Sequence, residues 1–236
     1  MIWVGTSGYN YTEWRDSFYP HGFPTAKMLP YYSERFRTVE INYSFYHMPT
    51  ENTLANWVKE TPDGFTFTLK APQSITHRNR LRDCETLIEL LLSRSKILGP
   101  KLGLLLFQLP PKFKKDIDRF RAFLDLLPAG TRAAWEFRDP SWLADDVFDT
   151  LREHQLTLCI TDTDETTTPM VATANYGYFR LRDEGYTPSG IQEWAAKIQP
   201  LAEQWTDTFV YFKHEAEGKG PEFARIFLDA LAEKQT

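Results

Sequence analysis

The chain has little cysteine: Cys84 and Cys159 are the only two. That excludes a disulfide-stapled scaffold, and their spacing matches no zinc motif. Two reduced thiols in a reducing compartment are the expectation. Long hydrophobic runs are also missing. The longest, LGLLLFQL at 102–109, falls far short of the ~20 residues that cross a bilayer. The start, MIWVGTSGYN, has no basic stretch leading into an apolar one, so no secretory signal is read there. A cytoplasmic protein without membrane association is expected. Nor is there an excess of positive charge. The formal net charge is −5, which weighs against nucleic acid as a partner. The Gly/Ser turn GTSGYNYTEW (5–14) lacks the GK[ST] of a phosphate loop. No HExxH and no GxSxG elbow occur.

What is present is an ordinary globular composition, 42% hydrophobic and 25% charged, with aromatics at 15%. No residue-level repeat emerges, but the chain has a rhythm. Short runs rich in β formers fall at 2–6, 38–42, 65–70, 102–108, 132–137, 156–161, 176–181 and 208–213. Helical patterns lie between most of them, at 25–36, 51–60, 83–98, 116–127, 145–154, 189–205 and 221–234. Leu87, Leu90, Leu91 and Ile97 give one such helix an apolar face, and Phe120, Phe123, Leu124 and Leu127 another. Eight strands alternating with helices in this length predict a (β/α)8 TIM-barrel-like α/β fold over 1–236, as one domain. The segment 162–175, DTDETTTPMVATAN, shows no helical pattern. One barrel helix is therefore expected to be missing or replaced by a loop. An open doubly wound sheet is the alternative.

The strand ends are polar and the strand starts are not. Thr6, Glu40, Asn42, Lys70, Gln108, Glu136, Arg138, Asp162, Arg180, Arg182, Lys213 and His214 stand at the ends, whereas Ile2, Phe65, Leu102 and Leu156 begin strands. In a barrel the C-terminal strand ends carry the site. Alternation puts Glu136 and Arg138 on one face, opposite Trp135 and Phe137. It likewise pairs Glu40 with Asn42, Lys70 with Thr68, and Arg180 with Tyr178; either Lys213 or His214 faces inward. Any one of these charges alone is better explained as a structural ion pair. Together they outweigh that explanation, because a packed barrel needs none of them and buried charge is costly. Asp162 could equally form an Asx turn before its loop. His77 lies after the third strand in a loop with Arg78, Arg80 and Arg82, and Tyr46 in an aromatic stretch after the second.

The blocks GTSGYNYTEWRDSFYP (5–20), TVEINYSFYHMPT (38–50), FTFTLKAPQSITH (65–77), LLLFQLPPKF (104–113) and WEFRDPSW (135–142) closely resemble one family, the YecE-like family, also called domain of unknown function 72. The resemblance runs in order through nearly the whole chain. It implies a TIM-barrel-like fold, no known reaction and no catalytic residues to transfer. The ending FKHEAEGKGPEF (212–223) departs from the Asn-Asn type associated with many members.

The function read from these residues is an enzyme, a hydrolase, lyase or isomerase, acting on a small phosphate- or carboxylate-bearing substrate at the C-terminal mouth. Glu40, Lys70, Glu136 and Asp162 are the expected acid/base groups, with Lys70 also a candidate Schiff-base nucleophile. Thr6, Asn42, Tyr46, His77, Gln108, Arg138, Arg180 and His214 are the expected substrate contacts. A non-catalytic binder of a small anion or nucleotide is the alternative, and a nucleic-acid-processing enzyme a further one. No cofactor is expected. A divalent cation among Glu40, Glu136, Asp162, His214, Glu215 and Glu217 is disfavoured by the surrounding Lys and Arg residues. No feature sets an oligomeric state. If the mouth exists for a ligand, Glu136→Gln and Lys70→Met should each leave apo stability within about 1 kcal/mol or raise it.

Overall fold

Runs of β-branched and aromatic residues that are apolar on both faces can be buried only between an inner core and a helical coat. The computed structural model, which describes residues 1–163 and 167–233, shows that arrangement. Its strands are β1 Ile2–Ser7, β2 Thr38–Ile41, β3 Thr66–Lys70, β4 Leu102–Gln108, β5 Ala133–Glu136, β6 Thr157–Asp162, β7 Tyr176–Leu181 and β8 Asp207–Phe212. All pair in parallel in sequence order, and β8 pairs with β1 to close the barrel.

Strand alternation separates two cores. Leu104, Leu106, Ala134, Cys159, Tyr176, Tyr178, Phe209 and Tyr211 fill the barrel interior. Val39, Ile41, Phe67, Leu69, Leu105, Phe107, Trp135 and Phe179 point outward into the helix layer. Tyr211 anchors the interior: its hydroxyl is 2.6 Å from Thr38 Oγ1 and 2.9 Å from Thr68 Oγ1.

Side-chain caps start several helices. Thr50 Oγ1 accepts from Thr53 N ahead of Glu51–Glu60, Asp116 from Arg119 N ahead of Ile117–Leu124, and Thr187 Oγ1 from Gly190 N ahead of Pro188–Ala202. Pro30 falls in the first turn of Met28–Ser33, where its missing N–H costs nothing. Between β6 and β7 no helix occurs among the described residues. The chain there stays alongside β6 instead: Thr168 N donates to Thr161 O, Leu158 N to Thr173 Oγ1, and Thr173 Oγ1 to Leu156 O.

Lys101 has a purely structural place that sequence alone did not reveal. Its ammonium is buried and donates to Val58 O (2.8 Å), Thr61 O (2.7 Å) and Thr61 Oγ1 (3.1 Å), closing the end of the Glu51–Glu60 helix. Lys101→Met should cost about 2–3 kcal/mol, since it strands buried carbonyls. Denaturant titration measures this, and a loss under about 0.5 kcal/mol would show that the carbonyls find other donors.

Candidate functional site

The inward positions nearest the C-terminal strand ends form one charged layer above the aromatic interior. Glu40, Lys70, Gln108, Glu136 and Arg180 all lie in it, each buried. Arg180 is the hub. Its Nε and Nη2 approach the Glu40 carboxylate at 2.9 Å each, and its Nη1 donates to Glu136 Oε2. Tyr178, one inward step below Arg180, donates to Glu40 Oε2. Glu136 also accepts from Arg138 Nε. Burial by itself would raise both carboxyl pKa values. The surrounding cations, Arg180 foremost, overcome it and hold Glu40 and Glu136 below the usual carboxylate range.

Lys70 takes the opposite shift. Burial, then repulsion from Arg180, lowers its ammonium to about 7, against the pull of Glu136 and Glu40. Its Nζ donates to Gln108 Oε1 at 2.8 Å and sits 4.1 Å from the centre of the Phe45 ring. Phe45 in turn meets the His77 ring edge-to-face at 4.8 Å.

His77 reaches this place through a rare backbone feature. Residues Ser74–Arg78 form a π-helical turn, with Asn79 N donating to Ser74 O. Beyond it Arg80, Leu81 and Asp83 all have positive φ, unusual for residues with side chains. Burial lowers the His77 pKa, and Lys70 and Arg138 add to the effect, so the imidazole is neutral near pH 7. Its Nδ1 lies 2.9 Å from Thr76 Oγ1.

Arg138 and Arg182 form the rim, with side chains 32% and 21% exposed. Arg182 Nη1 is 3.8 Å from Glu136 Oε1, too far for a hydrogen bond, and its Nε and Nη1 are buried without a hydrogen-bond partner. Among the described residues, three guanidinium groups here face two carboxylates, and protonated Lys70 adds a further cation. The mouth therefore holds net positive charge on a protein of net charge −5.

The structure thus brings together Glu40, Lys70, Glu136, Gln108, Arg138, Arg180 and His77. Three expected members point the other way. Thr6 faces the helix layer, where its Oγ1 lies 2.9 Å from the Tyr32 hydroxyl and donates to Gly8 O. Asp162 pairs in register with outward Leu181 and accepts from Thr167 Oγ1, Tyr186 OH and Trp194 Nε1. His214 follows the inward register position, held by Lys213. Its Nε2 lies 2.8 Å from Asp183 O and its ring packs on Phe223. All three are placed one residue off the inward face, and a one-residue shift flips a strand side chain. Tyr46 is 64% exposed on the short helix Tyr43–Tyr46, where its ring packs edge-to-face on Phe45 at 5.1 Å. Arg182, one of the polar strand ends, also belongs to the site, as do Tyr178 and Ser7, which sequence reasoning left out of the expected site residues. The signal for each is parity with Arg180 or with Glu40, its register partner in the case of Ser7.

No three His, Cys, Asp or Glu side chains stand together as metal ligands among the described residues. The carboxylates that could serve, Glu40 and Glu136, are engaged by guanidinium groups. None of the helices among these residues is long and apolar enough to cross a membrane.

The comparisons with known proteins agree with this barrel. The chain is 30% identical to UPF0759 protein YecE of Escherichia coli strain K12 over 145 residues, 61% of this chain and 51% of that protein. The match thus spans about half the length of that relative. UPF0759 protein YunF of Bacillus subtilis is 25% identical, with 98% of this chain and 95% of YunF covered. A crystal structure of a DUF72 family protein from Thermotoga maritima superposes with a TM-score of 0.89 at 25% identity, covering 98% of this chain and 99% of that one. Another, from Enterococcus faecalis, gives 0.81 at 19% identity, covering 98% and 96%. The model of the family described as "Protein of unknown function DUF72" matches residues 3–236, and the chain belongs to that family.

Proposed function

We propose that the barrel mouth binds a small phosphate- or carboxylate-bearing substrate and performs acid/base chemistry on it. The observation that carries this reading is the Arg182 guanidinium. It has two buried, unpartnered N–H-bearing nitrogens beside a cluster in which cations outnumber carboxylates. The two lie on opposite edges of the guanidinium, so an anion seated against either edge would satisfy one of them with charge-assisted hydrogen bonds.

Lys70 is the proton-transferring group in this reading. With a pKa of about 7, it exists in both forms near neutral pH, the condition under which a general acid or base works best. The neutral His77 imidazole is the second candidate. Glu40 and Glu136, held ionised and saturated with donors, act instead by fixing Arg180 and the field around Lys70. Hydrolysis, isomerisation and carbon–carbon cleavage all fit this equipment, and an unprotonated Lys70 also suits a Schiff base. The two thiols are free and buried, which suits a cytoplasmic setting.

Titration with inorganic phosphate tests the anion site. Arg182→Met should weaken binding about tenfold, the worth of a charge-assisted contact. Phosphate should also raise the Lys70 midpoint measured by NMR of reductively 13C-methylated protein, because a nearby anion favours the ammonium. Phosphate binding that ignores Arg182 and leaves Lys70 unmoved would sink the proposal.

A further inference from the structure

Beside the charged layer, at the β1–β2 side of the mouth, lies a neutral pocket of about 300 Å³. Gly8, Tyr9, Tyr11, Asn42, Tyr43 and Trp57 line it. Its polar feature is the Asn42 carboxamide. Both Oδ1 and Nδ2 are buried, and neither makes a hydrogen bond. The Tyr11 hydroxyl stands close to that amide, but without good hydrogen-bond geometry, and donates to Ser7 O at 2.9 Å instead. Ser7 Oγ, also buried without a well-formed hydrogen bond, sits beside the Glu40 carboxylate in the charged layer and does not line the pocket. Asn42 lies two residues beyond Glu40, past the end of β2, at the N-terminal cap of the Tyr43–Tyr46 helix. Tyr11 links the two places: it lines the pocket and is near enough to Glu40 to feel its charge.

An unpaired carboxamide offers a donor and an acceptor side by side in one plane. Its complement is a flat edge with the opposite order, as on a nucleobase, which Asn reads in this bidentate way. Tyr9, Tyr11, Tyr43 and Trp57 add aromatic rings to the lining, beside Asn10, Ile41 and Thr53, and aromatic faces hold flat rings by stacking. Gly8 lets the Tyr11 ring pack against the backbone: it has φ +90°, and a Cβ there would sit 2.5 Å from the Tyr11 hydroxyl. We infer that this pocket is a subsite for a neutral heterocyclic base with an amide-like edge, so that a ligand reaching from it to the arginine cluster is of the mononucleotide class. The link to an anionic end rests on the reading proposed above; the base subsite itself does not.

Binding of inorganic phosphate, ribose 5-phosphate, the four common nucleosides and their 5′-monophosphates, followed by calorimetry, tests this. At least one nucleotide should bind about tenfold tighter than ribose 5-phosphate. Asn42→Ala should remove that gain and leave phosphate binding unchanged. Tyr43→Ala, at a side chain 56% exposed, should reduce the gain with the fold intact, and a thermal melt of each variant confirms folding. The free nucleoside keeps the two readings apart. Asn42-dependent binding of a nucleoside supports the subsite even if phosphate fails to bind. Equal binding of ribose 5-phosphate and every nucleotide, or no loss in Asn42→Ala, overturns it.

Discussion

Arg180→Met should cost about 3–5 kcal/mol of stability at pH 7, which lowers the melting temperature by about 10–15 °C in a chain of this size. Arg180 is fully buried and joins Glu40 to Glu136. Without it, both carboxylates remain below the surface with one principal cation removed. Tyr178 still serves Glu40 and Arg138 still serves Glu136, so the protein should weaken rather than fail to fold. The pH dependence has a definite sign. In the wild type both carboxyl pKa values are depressed. Their contribution is present above the unfolded value near 4.5 and is lost as pH falls through the lower folded values. In Arg180→Met the carboxyls titrate higher, and acid relieves the repulsion. The gap between variant and wild type should therefore shrink as pH falls from about 6 to 4. Replacing Glu40, Arg180 and Glu136 together by apolar residues of similar size should restore much of the loss. A single variant within about 1 kcal/mol of wild type at neutral pH would mean that Arg180 is not the hub.

Lys70→Met should do the reverse, stabilising the resting protein by about 2 kcal/mol at pH 6 while abolishing whatever proton transfer the site performs. Lys70 binds its proton with a pKa of about 7 in the folded protein, against 10.5 for the unperturbed side chain. Below pH 7 both states are protonated and the cost of burying the ammonium is fully felt. Between pH 7 and 10.5 the unfolded chain holds the extra proton, so wild-type stability rises with pH in that window. The advantage of the methionine variant should accordingly fade as pH rises through it. Chemical denaturation at pH 6, 8 and 9.5 follows this directly. A destabilised variant, or an advantage that does not change with pH, would argue that the ammonium is well paired through its contact with Gln108.

These two results separate charges that looked equivalent in the sequence. Glu136→Gln and Lys70→Met were expected to behave alike, because both are charges at strand ends. Alternation placed them correctly on one inner face, but it could not show that Arg180 bridges Glu136 to Glu40, which makes Glu136 part of the frame. Glu136→Gln should follow Arg180→Met in direction. The barrel itself was legible, since eight apolar runs and the helices between them need only local periodicity. Even the lack of a helix between β6 and β7 among the described residues was visible as a segment without helical pattern. The strand ends were harder. At Thr6, Asp162 and His214 the apolar run stops without marking which residue is last on the inner face. His77 depended on a turn with an i to i+5 hydrogen bond, for which the sequence carries no simple spacing signal.

The tyrosine-rich barrel interior has a consequence for kinetics. Tyr178, Tyr211, Phe209, Cys159, Leu104 and Leu106 form a buried floor of low dielectric constant directly beneath the charged layer. Field lines from Arg138, Arg180 and Arg182 are poorly screened on that side and emerge mainly through the solvent side. On the reading proposed above, the mouth would work as a one-sided electrostatic funnel that draws anions in against the protein's overall negative charge. Capture of a dianion should then be fast in dilute buffer and slow markedly once the Debye length drops below about 8 Å, with the rate of release little changed.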